Sequence, residues 1–331
     1  MEIFERLIPS LRLAHFVHLQ GWGEPLLHPD LLRMVELAKN AGCRVGLTTN
    51  GVLLNDTMAR RLISAGLDNL AVSIAGATPS THDATRVGSN LSTIVANLSA
   101  LAHQKMSSAS DHPKIALLYM MLRSNIQELP LSIDLAHKAG VQEVVATNLD
   151  YLSTSEHDAA KAFSIADADP AKTAIIDEVK SRAEKLGVEF RHYPLAAQED
   201  TLVCEAVAGR TAFIGVDGSM FPCVYLSIPV DPIPRFFRGE RYDVPRLPFG
   251  NLATTDLDTI WKGEKCKSFY RAFDRRRDLA SYLSMEQVLG REFSWAPANS
   301  ASNAGQMILG QIQDGAPLPE QCRTCYKAYG L

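Results

Sequence analysis

Between residues 15 and 192 the chain alternates short apolar runs with longer stretches of helical period, and the helical stretches close on glycine: Ala41-Gly42, Ala65-Gly66, Ala139-Gly140 and Leu186-Gly187. Glycine there supplies the left-handed conformation that stops a helix and turns the chain into the next strand. Repeated units of this kind predict an α/β fold with a parallel sheet. Residues 15–20, 45–49, 69–74, 115–122 and 141–147 read as buried strands, with 188–192 as a last one. Helices are expected over 2–13, 29–40, 56–65, 91–104, 127–139 and about 171–185.

A length of 331 residues with 46% apolar content suits two ordinary domains of about 150 residues each. We read 1–198 as one layered α/β domain, with the boundary within 195–199. Residues 199–331 are richer in Pro and Arg and read as a small α+β cysteine-rich domain with an insertion at about 226–320, inside which 296–305 is a connector. A formal net charge of -4, with both signs interspersed, offers no field for nucleic acid or an anionic membrane. No run of eighteen apolar residues occurs, and charges interrupt the first twenty residues, which points to the cytoplasm and to a small or peptidic partner. Five of the six cysteines lie from 204 onward, a distribution that fits metal ligation in a reducing compartment better than disulfides.

The run 15–20 leads into Gly21-Trp22-Gly23-Glu24-Pro25, and a helix follows His28-Pro29-Asp30. Pliable backbone is thereby placed at the C-terminal rim of a parallel sheet, where α/β folds bind ligands, and glycine lets a ligand approach closely. A plain tight turn ended by Pro25 accounts for a lone Gly-x-Gly equally well. Thr48-Thr49-Asn50-Gly51, Val72-Ser73-Ile74, Asn125 and Asn148 fall on the same rim.

In order and spacing these segments resemble the radical S-adenosylmethionine (radical SAM) enzymes. The resemblance implies a TIM-like (β/α)6 barrel in which the segment holding Gly21, Gly23, Glu24 and Pro25 meets the amino group of the methionine moiety. It implies that Ser73 and Arg86 meet the methionine carboxylate and that Asn50 and Asn148 also border the cofactor; Asn125 is a further ligand-facing candidate. A guanidinium fork and a hydroxyl suit a carboxylate, and backbone carbonyls suit an ammonium. On the competing reading Ser73 is an ordinary strand residue and Arg86 a solvated one. Ala75 stands where the family commonly has Asp. The family's defining Cys-x-x-x-Cys-x-x-Cys loop, which binds a 4Fe-4S cluster, does not occur in the sequence, and residues 2–13 read as the helix that follows such a loop. The expectation is a partial barrel missing its first strand, with an exposed sheet edge, and a chain inactive as written in radical generation.

Cys204, Cys223 and the pair Cys322-Arg-Thr-Cys325 form a second signal. A Cys-x-x-Cys sets two thiolates on one cation, and two further cysteines close a tetrahedral zinc site or a cubane cluster. Cys43 reads as a small buried apolar residue and Cys266 as part of a helix. Val216-Asp217-Gly218 signals a hairpin before Cys223, with Phe249-Gly250-Asn251-Leu252 and Ile260-Trp261 downstream; together these resemble the SPASM/twitch auxiliary-cluster domain. Its shorter, twitch form with one auxiliary 4Fe-4S cluster suits this cysteine count, with structural zinc as the alternative.

Arg235, Phe236, Phe237, Arg238, Arg241, Tyr242 and Arg246, then Arg275-Arg276-Arg277, interleave cations with aromatics. Such a run suits an anionic or peptide substrate, but a solvated face is the expectation. The resemblance implies an iron–sulfur oxidoreductase or maturase that cleaves SAM reductively and takes hydrogen from a peptide or small-molecule substrate, with flavodoxin or ferredoxin as electron donor. The rival is a non-catalytic protein that binds zinc or iron–sulfur through four cysteines and uses a degenerate barrel for partner binding.

Overall fold

A computed structural model describes residues 1–165, 169–197, 201, 204, 211–291 and 314–331. The chain divides into two compact units, Met1–Leu149 with Ala159–Leu195, and Asp150–Asp158 with Ala196–Leu331.

The first unit runs α1 (Glu2–Leu11), β1 (Phe16–Leu19), α2 (Leu31–Asn40), β2 (Arg44–Thr49), α3 (Asp56–Ser64), β3 (Asn69–Ile74), α4 (Pro79–Thr85), α5 (Leu91–Ser107), β4 (Lys114–Met121), α6 (Leu129–Ala139) and β5 (Glu143–Asn148). After α7 (Ser155–Ala160) it continues with α8 (Pro170–Leu186) and β6 (Glu189–His192). The six strands form one parallel sheet in chain order. This is the expected βα sheet, and every anticipated strand is present with its ends shifted by at most two residues. The four closing glycines, 42, 66, 140 and 187, have φ of 88, 79, 70 and 66°. At the other helix ends Asn55, Asn90 and Asp169 accept the backbone N–H of Met58, Thr93 and Ala171, satisfying donors that a helix leaves open. No helix among the described residues is long and apolar enough to cross a membrane.

The strands were expected to be buried, and in the structure their burial alternates. In β4, Ile115, Leu117, Tyr119 and Met121 are buried while Ala116, Leu118 and Met120 are half-buried. The buried face belongs to the helices, with Ile74 and Leu117 packed among Leu91, Ile94 and Leu98 of α5 and Leu135, Ala136 and Ala139 of α6. The other face carries Thr48 beside Ala71, Ser73 beside Leu118, and Met120 beside Thr147. The residues of that side are half-buried, so the helices do not cover it.

The second unit contains β7 (Phe213–Ile214), β8 (Ser219–Phe221), β9 (Ile233–Phe237), β10 (Glu240–Val244), β11 (Gly250–Asn251), α9 (Leu257–Lys262) and α10 (Glu264–Arg291). Strands β11, β8 and β7 form a small antiparallel sheet; β9 and β10 form a hairpin that turns at Arg238 and Gly239, with φ of 56 and 81°. The anticipated hairpin at Asp217-Gly218 joins β7 to β8, and the Asp217 carboxylate accepts the Ser219 N–H at 3.0 Å. The connector expected at 296–305 lies outside the described residues. Buried Cys266, Phe269, Tyr270, Phe273 and Arg276 recur at intervals of three and four along α10 and form its inner stripe.

The basic run is not a uniformly solvated face. Arg238, Arg241 and Arg275 are exposed, but Arg235 and Arg276 are buried, at 4% and 3% exposure. The cause for Arg235 is strand alternation: Ile233, Arg235 and Phe237 share the inner side of the hairpin. Arg246 places its guanidinium 4.9 Å from the Phe221 ring centroid.

Candidate functional site

At the rim of the parallel sheet, Glu24 ties the loop after β1 to the loop after β2. Its carboxylate accepts the Thr49 hydroxyl at 2.6 Å, the Asn50 N–H at 2.8 Å and the Leu26 N–H at 3.1 Å. The Asn50 side-chain oxygen in turn accepts the Val52 N–H at 2.9 Å. Glu24 is thus committed to joining loops, and the backbone of 21–25 is what remains to meet a ligand. Gly23 has no conformational or steric need to be glycine, since a Cβ there would meet nothing within 4 Å. The opening it leaves suits close approach by a group from outside the chain.

Ser73, on the open face of β3, accepts Arg86 Nη2 at 2.8 Å. Arg86 Nε is buried without a hydrogen-bond partner, and no carboxylate among the described residues pairs with the guanidinium. Burial pulls the Arg86 pKa below the usual arginine range. A partly desolvated cation with an unused donor is short of an anion, so the pair fits a carboxylate such as that of methionine. Asn148, at the end of β5, donates to Pro194 O at 2.8 Å and keeps a buried, unpaired Oδ1. Asn125 does not face a ligand. It is fully buried, donates to Ala75 O and Met120 O, and accepts the Leu122 N–H, so its amide is consumed in closing the turn after β4.

The loop that presents Arg86 is fixed by residues the sequence reading passed over. A Cβ on Gly76 would stand 2.6 Å from the His82 amide nitrogen, so only glycine permits this close turn onto α4. The buried His82 ring accepts the Ala75 N–H at Nδ1, which leaves the proton on Nε2 to donate to Ser89 Oγ at 3.0 Å. Burial, aided by the nearby Arg86 charge, lowers the His82 pKa and keeps the ring neutral. Glu128 accepts the Ala77 and Thr78 N–H groups and the hydroxyls of Thr78 and Thr81. Burial would raise its pKa, but those bonds outweigh burial and hold the carboxyl below the usual range.

Glu128→Gln, which turns an amide donor towards several donors, is expected to lower stability by about 2 kcal/mol. Because the folded pKa is depressed, the Glu128 contribution is fully present above the unfolded carboxyl pKa of about 4.3 and is lost as pH falls through the lower folded value. Urea unfolding over a pH series is therefore expected to show a constant gap between wild type and variant at neutral pH, closing below about pH 4.

In the second unit Cys204, Cys223 and Cys322 are buried and Cys325 is partly exposed. Burial, reinforced by the charge of Cys325, pushes the Cys223 thiol up to about 12. Burial raises Cys322 as well, followed by the charges of Cys325, Cys223 and Cys204. The four sulfurs therefore share one neighbourhood, and the Cys223 and Cys322 thiols ionise there only with a cation to balance them. Among the described residues no three His, Cys, Asp or Glu side chains converge as a site for a metal ion. A tetrahedral zinc takes all four thiolates on one ion at about 2.3 Å and a cubane takes each on a different iron, so both draw the four cysteines together. Four soft donors fit an iron–sulfur cluster. The first unit holds only Cys43, whose thiol donates to Leu11 O and Ala14 O, so residues 1–331 do not fit a radical-generating cluster.

Two further groups bind the cysteine segments together. Arg235 donates from Nη1 to Gln321 O at 2.7 Å and from Nη2 to Tyr225 O at 3.2 Å. Asp150 accepts Lys327 Nζ at 3.0 Å and the Tyr225 hydroxyl at 2.7 Å. Lone charged residues far apart in sequence gave no sign of these pairings.

Residues 2–148 match the Radical SAM superfamily, and residues 204–282 match the SPASM iron–sulfur cluster-binding domain. The chain is 25% identical over 259 residues to the tungsten-containing aldehyde ferredoxin oxidoreductase cofactor-modifying protein of Pyrococcus furiosus, covering 78% of this chain and 69% of that protein. It is 25% identical over 266 residues to the PqqA peptide cyclase of Ruegeria pomeroyi, covering 78% and 63%. The chain thus spans about two thirds of the length of these curated relatives. The crystal structure of Streptococcus suis SuiB is alike in fold, with a TM-score of 0.57 at 12% identity, over 81% of this chain and 61% of that one. The parallel sheet with its rim and the cysteine-bearing unit coincide with these two matches: the chain carries a radical SAM domain over residues 2–148 and a SPASM iron–sulfur cluster-binding domain over residues 204–282.

Proposed function

We propose that the protein is an iron–sulfur oxidoreductase or maturase that binds SAM at the rim of its sheet and acts on a peptide or small molecule. The observation that carries this reading is the Arg86 guanidinium, anchored on Ser73 at 2.8 Å with a buried donor still unused. In this reading Arg86 and Ser73 hold the methionine carboxylate, the backbone of Gly21 and Gly23 receives the ammonium, and Glu24 and Asn50 keep that backbone in place. Asn148 offers an acceptor to a donor group of the ligand. Reductive cleavage of SAM needs a cluster whose three cysteines residues 1–331 do not hold; what these residues supply is the binding and placing of SAM. Cys204, Cys223, Cys322 and Cys325 hold the auxiliary 4Fe-4S cluster in a domain that begins near residue 199, and the half-open face of the sheet receives the substrate. A peptide substrate is favoured by the names of relatives such as the PqqA peptide cyclase. A flavodoxin or ferredoxin would supply electrons, in the cytoplasm.

Equilibrium dialysis of the full chain tests the reading. SAM and S-adenosylhomocysteine are expected to bind, and methylthioadenosine, which lacks the aminocarboxyl end, to bind roughly 30-fold more weakly for loss of about 2 kcal/mol of charged hydrogen bonding. Equal binding of all three, or of none, would refute it.

A further inference from the structure

Arg235 is the one buried cation of the second unit that bridges both cysteine segments among the described residues. Its guanidinium reaches Gln321 O, next to Cys322, and Tyr225 O, two residues beyond Cys223. It also lines a small cleft together with Cys325 and Asp150. At 4% exposure its charge has lost most of its hydration, and two carbonyl dipoles replace that hydration only in part. The carboxylate in the cleft, Asp150, is engaged by Lys327 and Tyr225, and no carboxylate among the described residues forms an ion pair with Arg235. What remains nearby to balance the charge is the set of thiols, which become anionic when they take a metal.

We propose that Arg235 is the counter-cation of the auxiliary cluster: it neutralises part of the cluster's negative charge while its planar fork holds the Gln321 and Tyr225 carbonyls together. The proposal rests on the reading that Cys204, Cys223, Cys322 and Cys325 hold an iron–sulfur cluster. It has two consequences. Reduction adds an electron to an already anionic cluster, so a buried cation beside it raises the reduction potential. In the metal-free protein the same cation is unbalanced, so its removal harms the loaded form more than the metal-free form.

The full chain and its Arg235→Lys, Arg235→Gln and Arg235→Met variants would be reconstituted anaerobically, counted for iron, titrated for potential by electron paramagnetic resonance, and melted with and without the cluster. Wild type and Arg235→Lys are expected to share a similar potential, with Arg235→Gln and Arg235→Met lower. Both neutral variants are expected to lower the melting temperature of the loaded protein more than that of the metal-free protein. If Arg235→Gln fails to fold, Arg235→Met carries the comparison, because its stem fills a similar volume. An unchanged potential in the neutral variants, an equal drop in all three variants, or an equal melting loss in loaded and metal-free protein overturns the proposal, as does failure of both neutral variants to fold in either form. A wild-type chain that takes up no cluster removes the underlying reading as well, and that outcome is seen before any variant is made.

Discussion

Replacing Arg86 by alanine is expected to weaken SAM binding by roughly 30- to 1,000-fold, the equivalent of about 2–4 kcal/mol for removing one member of a partly buried charge pair. The physical basis is the state of Arg86 without ligand: one nitrogen rests on Ser73 at 2.8 Å, another is buried and unused, and no carboxylate among the described residues balances the charge. Arg86→Lys should recover part of the affinity, since an ammonium keeps the charge but loses the fork that grips two oxygens. Ser73→Ala, which removes a neutral hydrogen bond, should cost only about fivefold. Stability should move differently from affinity. Deleting an unbalanced, partly desolvated cation is expected to leave the melting temperature of the ligand-free protein unchanged or raised. Calorimetric titration with SAM and a thermal melt on the same samples check both signs, and wild-type affinity in Arg86→Ala would remove Arg86 from the binding site.

The double variant Cys322→Ser/Cys325→Ser is expected to lose nearly all auxiliary-cluster iron, from about four per chain to close to none. Two of four thiolate ligands disappear together, and serine hydroxyls do not ionise at neutral pH to replace them. Burial already pushes the Cys223 thiol up to about 12, so without a shared cation it stays protonated and binds iron poorly. Because metal binding and folding are coupled, the second unit of the double variant should also unfold at a lower temperature than the loaded wild type. Cys266→Ala is the natural control: Cys266 lies in the apolar stripe of α10 and is not among the cysteines whose charges act on Cys322, so its iron content should match wild type.

The parallel sheet was legible in the sequence because two independent local signals agreed, short apolar runs and glycine-terminated helices, and both are short-range properties of the chain. The rim segments were legible for the same reason: a strand end followed by glycine states its place without reference to anything distant. What each rim residue does was less legible. Glu24 binds Thr49 and Asn50 across 25 and 26 positions, and Glu128 caps a loop some fifty positions away, contacts that no local pattern carries. Asn125 and Asn148 occupy similar places at the ends of neighbouring strands, yet one amide is fully consumed by the backbone and the other keeps an open oxygen. Composition misled at Arg235, where arginine's usual exposure argued for a solvated face and strand alternation turned the residue inward. Around Cys266 the sequence did read as helix, and α10 bears that out; the charged residues between Phe269 and Arg277 diluted its inner stripe and hid how far the helix runs.

The most direct measurement is anaerobic reconstitution of the full chain with iron and sulfide, followed by iron and acid-labile sulfide counting and visible absorption. The account predicts a brown protein with about four irons and four sulfides held by the second unit. A colourless protein holding a single zinc on the same cysteines would contradict it.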